Sequence, residues 1–154
     1  MSSRLYPERP YIGVLAVARR GEHFLLLQRA KPPDLGKWGF PGGAQELGET
    51  VFETAARELL EETGVAAEPL RPLTVIDHID RDADGRIRTH WALVAVLMAW
   101  RDGEGFAGDE AMAVEWVTLD SIKADGRPTS AAVERVMRLA YDTPLKGAVY
   151  TNGR

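Results

Sequence analysis

The chain has 154 residues, of which 45% are hydrophobic and 27% charged, and its formal net charge is −4. That length suits one domain with a buried core. The absence of cysteine excludes disulfides, thiolate zinc sites and a cysteine nucleophile. A nucleic-acid polymer is not an expected partner, because its phosphates require a basic surface and the longest basic run is Arg19-Arg20.

The N-terminal sequence MSSRLYPERP lacks the apolar core of a signal peptide. No apolar run in the chain approaches the length of a membrane span. The sequence therefore predicts a cytoplasmic protein with no membrane partner.

Two β-type apolar runs open the chain and lead into a loop. They cover residues 11–18 and 22–28, and Arg20-Gly21 is the expected turn between them. Two prolines and a glycine within residues 31–36 break regular structure, so this segment is predicted to be a loop. The sequence Trp-Gly-Phe-Pro-Gly-Gly at residues 38–43 follows the loop.

The next segment has the signals of an amphipathic helix. Thr50 and Glu53 have the spacing of a capping box, so a helix is predicted to begin just after Thr50. Gly64 is well placed to end it, since a left-handed conformation is needed there. One apolar stripe is predicted to face the core and consists of Phe52, Ala55, Ala56 and Leu59.

The second half of the chain predicts a hairpin, a short strand and a closing helix. Residues 73–79 and 86–98 have strand character, and the Asp-Gly pair that ends residues 82–85 is a hairpin-turn signal. Residues 115–119 are predicted to be a strand and residues 130–141 a helix. Together these elements predict an α/β fold in which helices cover a mixed β-sheet.

Three glutamates crowd one polar face of the predicted central helix. Glu58, Glu61 and Glu62 are neighbours there, because residues three and four apart share a helix face. Their mutual repulsion, and the negative end of the helix dipole, both disfavour this cluster. A divalent cation would offset both effects, and Mg²⁺ prefers oxygen ligands. The pattern therefore predicts a metal site, while Arg57 is expected to project away from the three carboxylates.

Groups that precede the helix are suited to a metal or a phosphate. Gly42 and Gly43 follow Pro41, and without side chains they allow backbone to approach a ligand closely. Arg29, at the end of the second predicted strand, is placed to reach a substrate phosphate, because guanidinium matches phosphate geometry.

Residues 43–65, GAQELGETVFETAARELLEETGV, resemble the Nudix box. That pattern is a glycine, five residues, a glutamate, seven residues, then Arg-Glu-apolar-x-Glu-Glu-x-Gly-apolar. Every constrained position matches, namely Gly43, Glu49, Arg57, Glu58, Leu59, Glu61, Glu62, Gly64 and Val65. The order of elements around the box also looks like a complete Nudix hydrolase. The resemblance implies a single domain over residues 1–154 with the family's α/β/α sandwich fold.

The resemblance also implies site roles and a cofactor. Two or more Mg²⁺ ions, for which Mn²⁺ is a substitute, would be held by Glu58, Glu61, Glu62 and the backbone near Gly42. The ions would neutralise a diphosphate and acidify a bound water that attacks phosphorus in line. Arg57 would pair with Glu49 and hold the loop against the helix.

Glu110 is a further candidate for the catalytic base. It lies five residues before Glu115-Trp116, and in MutT-type and related members a glutamate at this offset binds a metal or activates water. Its neighbour Asp109 is the rival candidate. Whether Glu110 or Glu61 removes the water's proton stays open at this point, and neither role requires a covalent intermediate.

The segments that flank the box look most like bacterial ADP-ribose pyrophosphatases, notably residues 25–43, 74–87 and 108–120. The expected substrate is therefore a nucleoside diphosphate linked to another moiety, with ADP-ribose favoured and AMP and ribose 5-phosphate as products. The expected partner is this small nucleotide, and the chain is expected to be a monomer or a homodimer. One of Tyr11, Trp38, Trp91, Trp100 and Trp116 could stack on adenine, and the sequence does not distinguish among them.

Two alternatives remain open. The first is a MutT-type pyrophosphatase that sanitises oxidised dNTPs. It is kept open because many ADP-ribose pyrophosphatases carry a proline where this chain has Arg81. The second is a non-catalytic nucleotide sensor, which is disfavoured because all the box carboxylates are present.

Overall fold

The computed structural model describes residues 4–145, and within this range a seven-stranded sheet lies between helices. The ends of the predicted domain, residues 1–3 and 146–154, lie outside the described residues. The elements in chain order are β1 (Tyr11–Arg20), β2 (His23–Arg29), β3 (Trp38–Gly39), β4 (Gly42–Ala44), α1 (Val51–Thr63), β5 (Ala66–Arg81), β6 (Ile87–Asp102), β7 (Ala111–Val117), α2 (Leu119–Asp125) and α3 (Val133–Tyr141).

The sheet is mixed, as the sequence predicts. Its strand order is β3-β2-β1-β6-β5, with β4 also paired to β1 and β7 also paired to β2. β1 runs parallel to β6 and antiparallel to β2 and β4. The central strand β1 therefore touches β4, which carries the two glycines that precede α1.

Alternation along β1 sends its side chains into two separate cores. Val14 and Ala16 lie on the side of α1, where Ala55 and Leu59 complete one buried cluster. Val17 belongs to a second cluster, which contains Ile122 of α2 together with Val136, Met137 and Ala140 of α3. Helices thus cover both faces, and the predicted α/β/α sandwich is confirmed.

The bounds of α1 agree with the local signals in the sequence. The Thr50 hydroxyl accepts a hydrogen bond from the Glu53 N–H (3.1 Å), and the Glu53 carboxylate accepts one from the Thr50 N–H (3.0 Å). Gly64 has a φ of 72°, and its N–H donates to the Leu60 carbonyl oxygen (2.9 Å). A capping box and a left-handed glycine therefore fix both ends of the helix that carries the acidic face.

The hairpin is longer than predicted. β5 begins at Ala66 rather than residue 73, and β6 continues to Asp102. Pro69 and Pro72 are tolerated because β5 is the last strand of the sheet order and the register shifts beside each proline. The turn at residues 82–85 is as predicted, with the Gly85 N–H donating to the Asp82 carbonyl oxygen.

The prediction of a strand over residues 115–119 is wrong at both ends. β7 runs from Ala111 to Val117, and the unpredicted helix α2 starts at Leu119. The Thr118 and Ser121 hydroxyls accept hydrogen bonds from each other's backbone N–H groups (3.0 and 3.1 Å), so a second capping box starts α2. α3 begins at Val133 rather than residue 130, after Ala132 in the left-handed region. No helix among the described residues is long and apolar enough to cross a membrane.

Candidate active site

The loop before α1 brings backbone close to the acidic face of the helix. The Ala16 N–H of β1 donates to the Pro41 carbonyl oxygen (2.7 Å), and Gly42 and Gly43 then pair with β1. A Cβ atom at Gly42 would overlap the Val14 carbonyl oxygen, and one at Gly43 would lie 2.5 Å from the Glu58 carboxylate. Gly42 therefore requires glycine because β1 backbone lies against it, whereas a side chain at position 43 would displace the Glu58 carboxylate.

Glu62 is the carboxylate that this backbone reaches. The Gly42 N–H donates to Glu62 Oε2 at 3.0 Å. The side chain is partly buried, and burial is the main reason that its pKa rises from 4.5 to about 8, with the charges of Glu58 and Glu110 adding to the rise. A carboxyl group in such a position is largely protonated at neutral pH unless a cation compensates its charge.

Glu58 lies beside Glu62 and experiences the same environment. Its side chain is only 15% exposed, and burial raises its pKa although a guanidinium partner opposes the rise. Two neighbouring carboxylates whose charged forms are both disfavoured make a receptive site for a positive ion.

The Arg57–Glu49 pair forms as the resemblance implies. Arg57 Nε lies 2.6 Å from Glu49 Oε2, and Nη2 lies 2.8 Å from Oε1, so the contact is bidentate. This pairing is the main cause that lowers the pKa of Glu49 to about 2. Arg57 Nη2 also donates to the Ala44 carbonyl oxygen (3.3 Å). Together these contacts fasten the loop before α1 to the helix.

The expectation that Arg57 projects away from the three carboxylates is wrong. Its Nη1 donates to Glu58 Oε1 at 2.9 Å and to Glu61 Oε2 at 3.3 Å. The helical wheel fixes only the direction of the Cβ atom, and the long side chain then folds back across the acidic face. Glu61 consequently faces Arg57 and solvent, and its side chain is 60% exposed.

The close convergence predicted for the three carboxylates is not observed. Within residues 4–145, no group of three or more His, Asp or Glu side chains stands ready to hold a metal ion. The remaining features nevertheless fit a hard divalent cation. Glu58 and Glu62 supply oxygen donors whose bare charges are disfavoured, and the two glycines remove bulk beside them. The residues that could hold the ion are therefore Glu58, Glu62 and the Gly42 backbone.

Arg29 and Glu110 both lie on the Glu62 side of the site. The charge of Arg29 lowers the Glu62 pKa, whereas the charge of Glu110 raises it. Arg29 Nε donates to the Pro33 carbonyl oxygen (2.7 Å), which fixes the side chain against the loop after β2. The predicted phosphate ligand and the candidate base are thus close enough to Glu62 for their charges to act on its pKa.

Glu110 has a partner that the sequence does not predict. Its carboxylate forms an ion pair with Lys31 (3.0 Å), and its carbonyl oxygen accepts a hydrogen bond from the Ala30 N–H (3.1 Å). The two segments are far apart in the chain, so no local pattern could have shown the contact. The rival Asp109 is exposed.

Each aromatic candidate has an arginine over its ring. Trp38 lies under Arg127, while Trp100 and Trp116 both lie under Arg20. Tyr11 and Trp91 also form a tilted pair with ring centroids 5.5 Å apart, and the Arg4 guanidinium lies 4.9 Å and 5.7 Å from the two centroids. That pair occupies neighbouring strands β1 and β6, and β1 also contacts β4 next to the loop glycines.

Comparisons with known proteins agree with this geometry. The model of the NUDIX domain family matches residues 7–136. An ADP-ribose pyrophosphatase from Methanocaldococcus jannaschii is 34% identical over 77% of this chain and 68% of its own length. A putative mutator protein MutT4 from Mycobacterium tuberculosis is 35% identical over 70% of this chain and 45% of its own length.

Solved structures share the fold. The crystal structure of a MutT NUDIX hydrolase from Burkholderia pseudomallei is 33% identical, has a TM-score of 0.74, and covers 86% of this chain and 98% of its own. Some curated relatives are much longer proteins, and the chain spans only 32% of the length of two animal relatives that it matches.

Proposed function

Because the chain belongs to the Nudix family and is a Nudix hydrolase, we propose that it hydrolyses a nucleoside diphosphate linked to another moiety. The favoured substrate is ADP-ribose, which would yield AMP and ribose 5-phosphate, and the metal is Mg²⁺. The observation that carries the proposal is the Glu62 carboxylate, partly buried and bonded to the Gly42 N–H, with Arg29 and Glu110 on the same side. The archaeal ADP-ribose pyrophosphatase relative supports the choice of substrate.

The metal-binding residues in this proposal are Glu58, Glu62 and the Gly42 backbone. A divalent ion held there would neutralise the diphosphate and acidify a water for in-line attack at phosphorus. Glu61 has a secondary place, because its carboxylate is engaged by Arg57 and exposed.

The other roles belong to side chains around Glu62. Arg29 binds a diphosphate oxygen through its guanidinium group, and Gly43 leaves room for the substrate beside Glu58. Glu110 accepts the proton of the attacking water, which is the role for which Glu61 is the alternative. Arg57 and Glu49 keep α1 and its preceding loop in register, so that the groups which touch substrate stay in place.

The Tyr11–Trp91 pair is our candidate for the base-stacking surface. Tyr11 lies on β1, which also pairs with β4, and a nucleobase that displaced Arg4 from these rings would gain stacking energy. Replacement of Trp91 by leucine should therefore raise KM for nucleotides more than it lowers kcat, which steady-state kinetics would show.

A substrate panel tests the proposed activity. Initial rates with Mg²⁺ would be measured for ADP-ribose, NADH, nucleotide sugars, dinucleoside polyphosphates, dNTPs and oxidised dNTPs. We expect kcat/KM for ADP-ribose to exceed that for dGTP. Chelator-treated protein should be inactive and recover with Mg²⁺ or Mn²⁺, and full turnover in excess chelator would remove the metal from the proposal.

A MutT-type triphosphatase is the second candidate. The relevant observation is the similarity to the Burkholderia pseudomallei MutT protein, which this chain matches over almost all of that protein's length. A clear preference for any triphosphate in the panel would select this function over ADP-ribose hydrolysis. Both candidates use the same metal site, so metal dependence does not discriminate between them.

A further inference from the structure

The loop that leads to Gly42 is held on its outer side by residues 127–130, which connect α2 to α3. The Trp38 N–H donates to the Pro128 carbonyl oxygen (2.9 Å), and the Ser130 N–H donates to the Trp38 carbonyl oxygen (2.8 Å). The short strand β3 is therefore held by the backbone of this connection as well as by its pairing with β2. Its position depends on where the connection itself lies.

Arg127 fixes that connection to two further elements. Its Nη2 lies 2.6 Å from Asp125 Oδ2 at the end of α2, and its Nη1 lies 2.8 Å from Glu115 Oε2 on β7. The guanidinium carbon also lies 4.7 Å from the centroid of the Trp38 ring. The Arg127 side chain is only 16% exposed. One side chain thus joins α2, β7 and β3.

These contacts should matter more for local position than for global stability. Glu115 and Asp125 remain 49% and 40% exposed, so water would solvate both carboxylates if the guanidinium were removed. The ring of Trp38, in contrast, would lose the group that covers it. The largest effect is therefore expected at Trp38 and in the loop that follows.

We propose that Arg127 is a positioning residue that holds the Gly42 N–H against Glu62. The inner side of the loop is fixed separately, because the Ala16 N–H donates to the Pro41 carbonyl oxygen. Removal of Arg127 leaves the pairing of β3 with β2 and of Gly42 with β1 intact but frees the 127–130 connection on the other side of the loop, so the Gly42 amide should move more relative to the Glu62 carboxylate. This inference rests on the proposed function only where it links Glu62 to a metal.

Hydrogen exchange in the metal-free protein tests the positioning directly. Arg127→Met should speed exchange of the amides in residues 38–42 by at least about tenfold, since local opening exposes hydrogen-bonded amides. Arg127→Lys should lie between wild type and Arg127→Met, because it keeps the charge without the planar fork. Arg88→Met is the matched control, as it removes an ion pair with Asp80 (2.6 Å) on the distant hairpin. It should leave this segment unchanged.

A Mg²⁺ titration followed by thermal shift tests the consequence for the metal site. We expect the half-saturating concentration to rise roughly 10–100-fold in Arg127→Met, the range typical of groups that orient metal ligands. If wild type shows no Mg²⁺ response, the metal assignment fails while the exchange experiment still decides the positioning role. If Arg127→Met does not fold, Arg127→Lys and Glu115→Gln decide it. Wild-type exchange rates in residues 38–42 of the folded variants would overturn the proposal.

Discussion

Replacement of Glu62 by glutamine isolates the energetic effect of placing a carboxylate in a partly buried site. The pKa of Glu62 rises from 4.5 to about 8 in the folded protein. Because the pKa is raised on folding, the contribution of protonated Glu62 to the free energy of unfolding is complete below pH 4.5 and is lost as the pH rises through 8. Each pKa unit corresponds to about 1.4 kcal/mol, so the loss at pH 8 is on the order of 4 kcal/mol. Glutamine carries no charge at either pH and can still accept the Gly42 hydrogen bond.

The assay is urea unfolding of metal-free protein at pH 5 and pH 8 in the presence of a chelator. The free energy of unfolding of Glu62→Gln, relative to that of wild type, should be larger at pH 8 than at pH 5. Glu61→Gln, which changes an exposed neighbour, should show no such difference. Added Mg²⁺ should stabilise wild type but not Glu62→Gln, and turnover should be abolished in that variant. An equal stability difference at pH 5 and pH 8 would refute the argument that burial disfavours the charged form of Glu62.

Four further substitutions test other parts of the site. Glu110→Gln should lower kcat by roughly 10²–10⁴-fold with little change in KM, whereas Asp109→Asn should be far milder; similar effects of the two would make Glu61 the better base. Glu49→Gln should be less stable than wild type at neutral pH, because wild type keeps the contribution of the ionised Glu49 carboxylate until the pH falls from 4.5 towards 2. The acid unfolding curves of the two proteins should therefore converge at low pH. Gly43→Ala should lower kcat without unfolding the protein, because the added Cβ would displace the Glu58 carboxylate, which lies 2.5 Å from its position. Steady-state rates would measure the loss of kcat, and circular dichroism would show whether the fold is kept.

Features that depend on local signals could be predicted from the sequence. The start of α1 follows from Thr50 and Glu53, and its end follows from Gly64, because capping involves residues within one turn. The covering of a mixed sheet by helices follows from the order of strands and helices along the chain. The same kind of signal was present at Thr118 and Ser121, where the β-type composition of the segment concealed the start of α2.

Features that depend on long side chains or distant segments could not be predicted. The direction of Arg57 at its Cβ atom does not determine where a flexible guanidinium ends, and its contacts with Glu58 and Glu61 came from that freedom. The Lys31–Glu110 pair joins loops that only the paired strands β2 and β7 bring together. The placement of Arg127 over Trp38 has the same origin, since nothing in either local sequence specifies the other.

The sharing of one guanidinium among several carboxylates has a consequence for the order of ligand binding. Arg57 alone serves Glu49, Glu58 and Glu61, so the cluster keeps an excess of negative charge even before Glu62 is counted. An anionic nucleotide that approaches such a cluster is repelled until a cation has arrived, and the repulsion weakens as salt screens it. We therefore expect the cation to bind before the nucleotide. Lowering the ionic strength should strengthen nucleotide binding only when the cation is already bound.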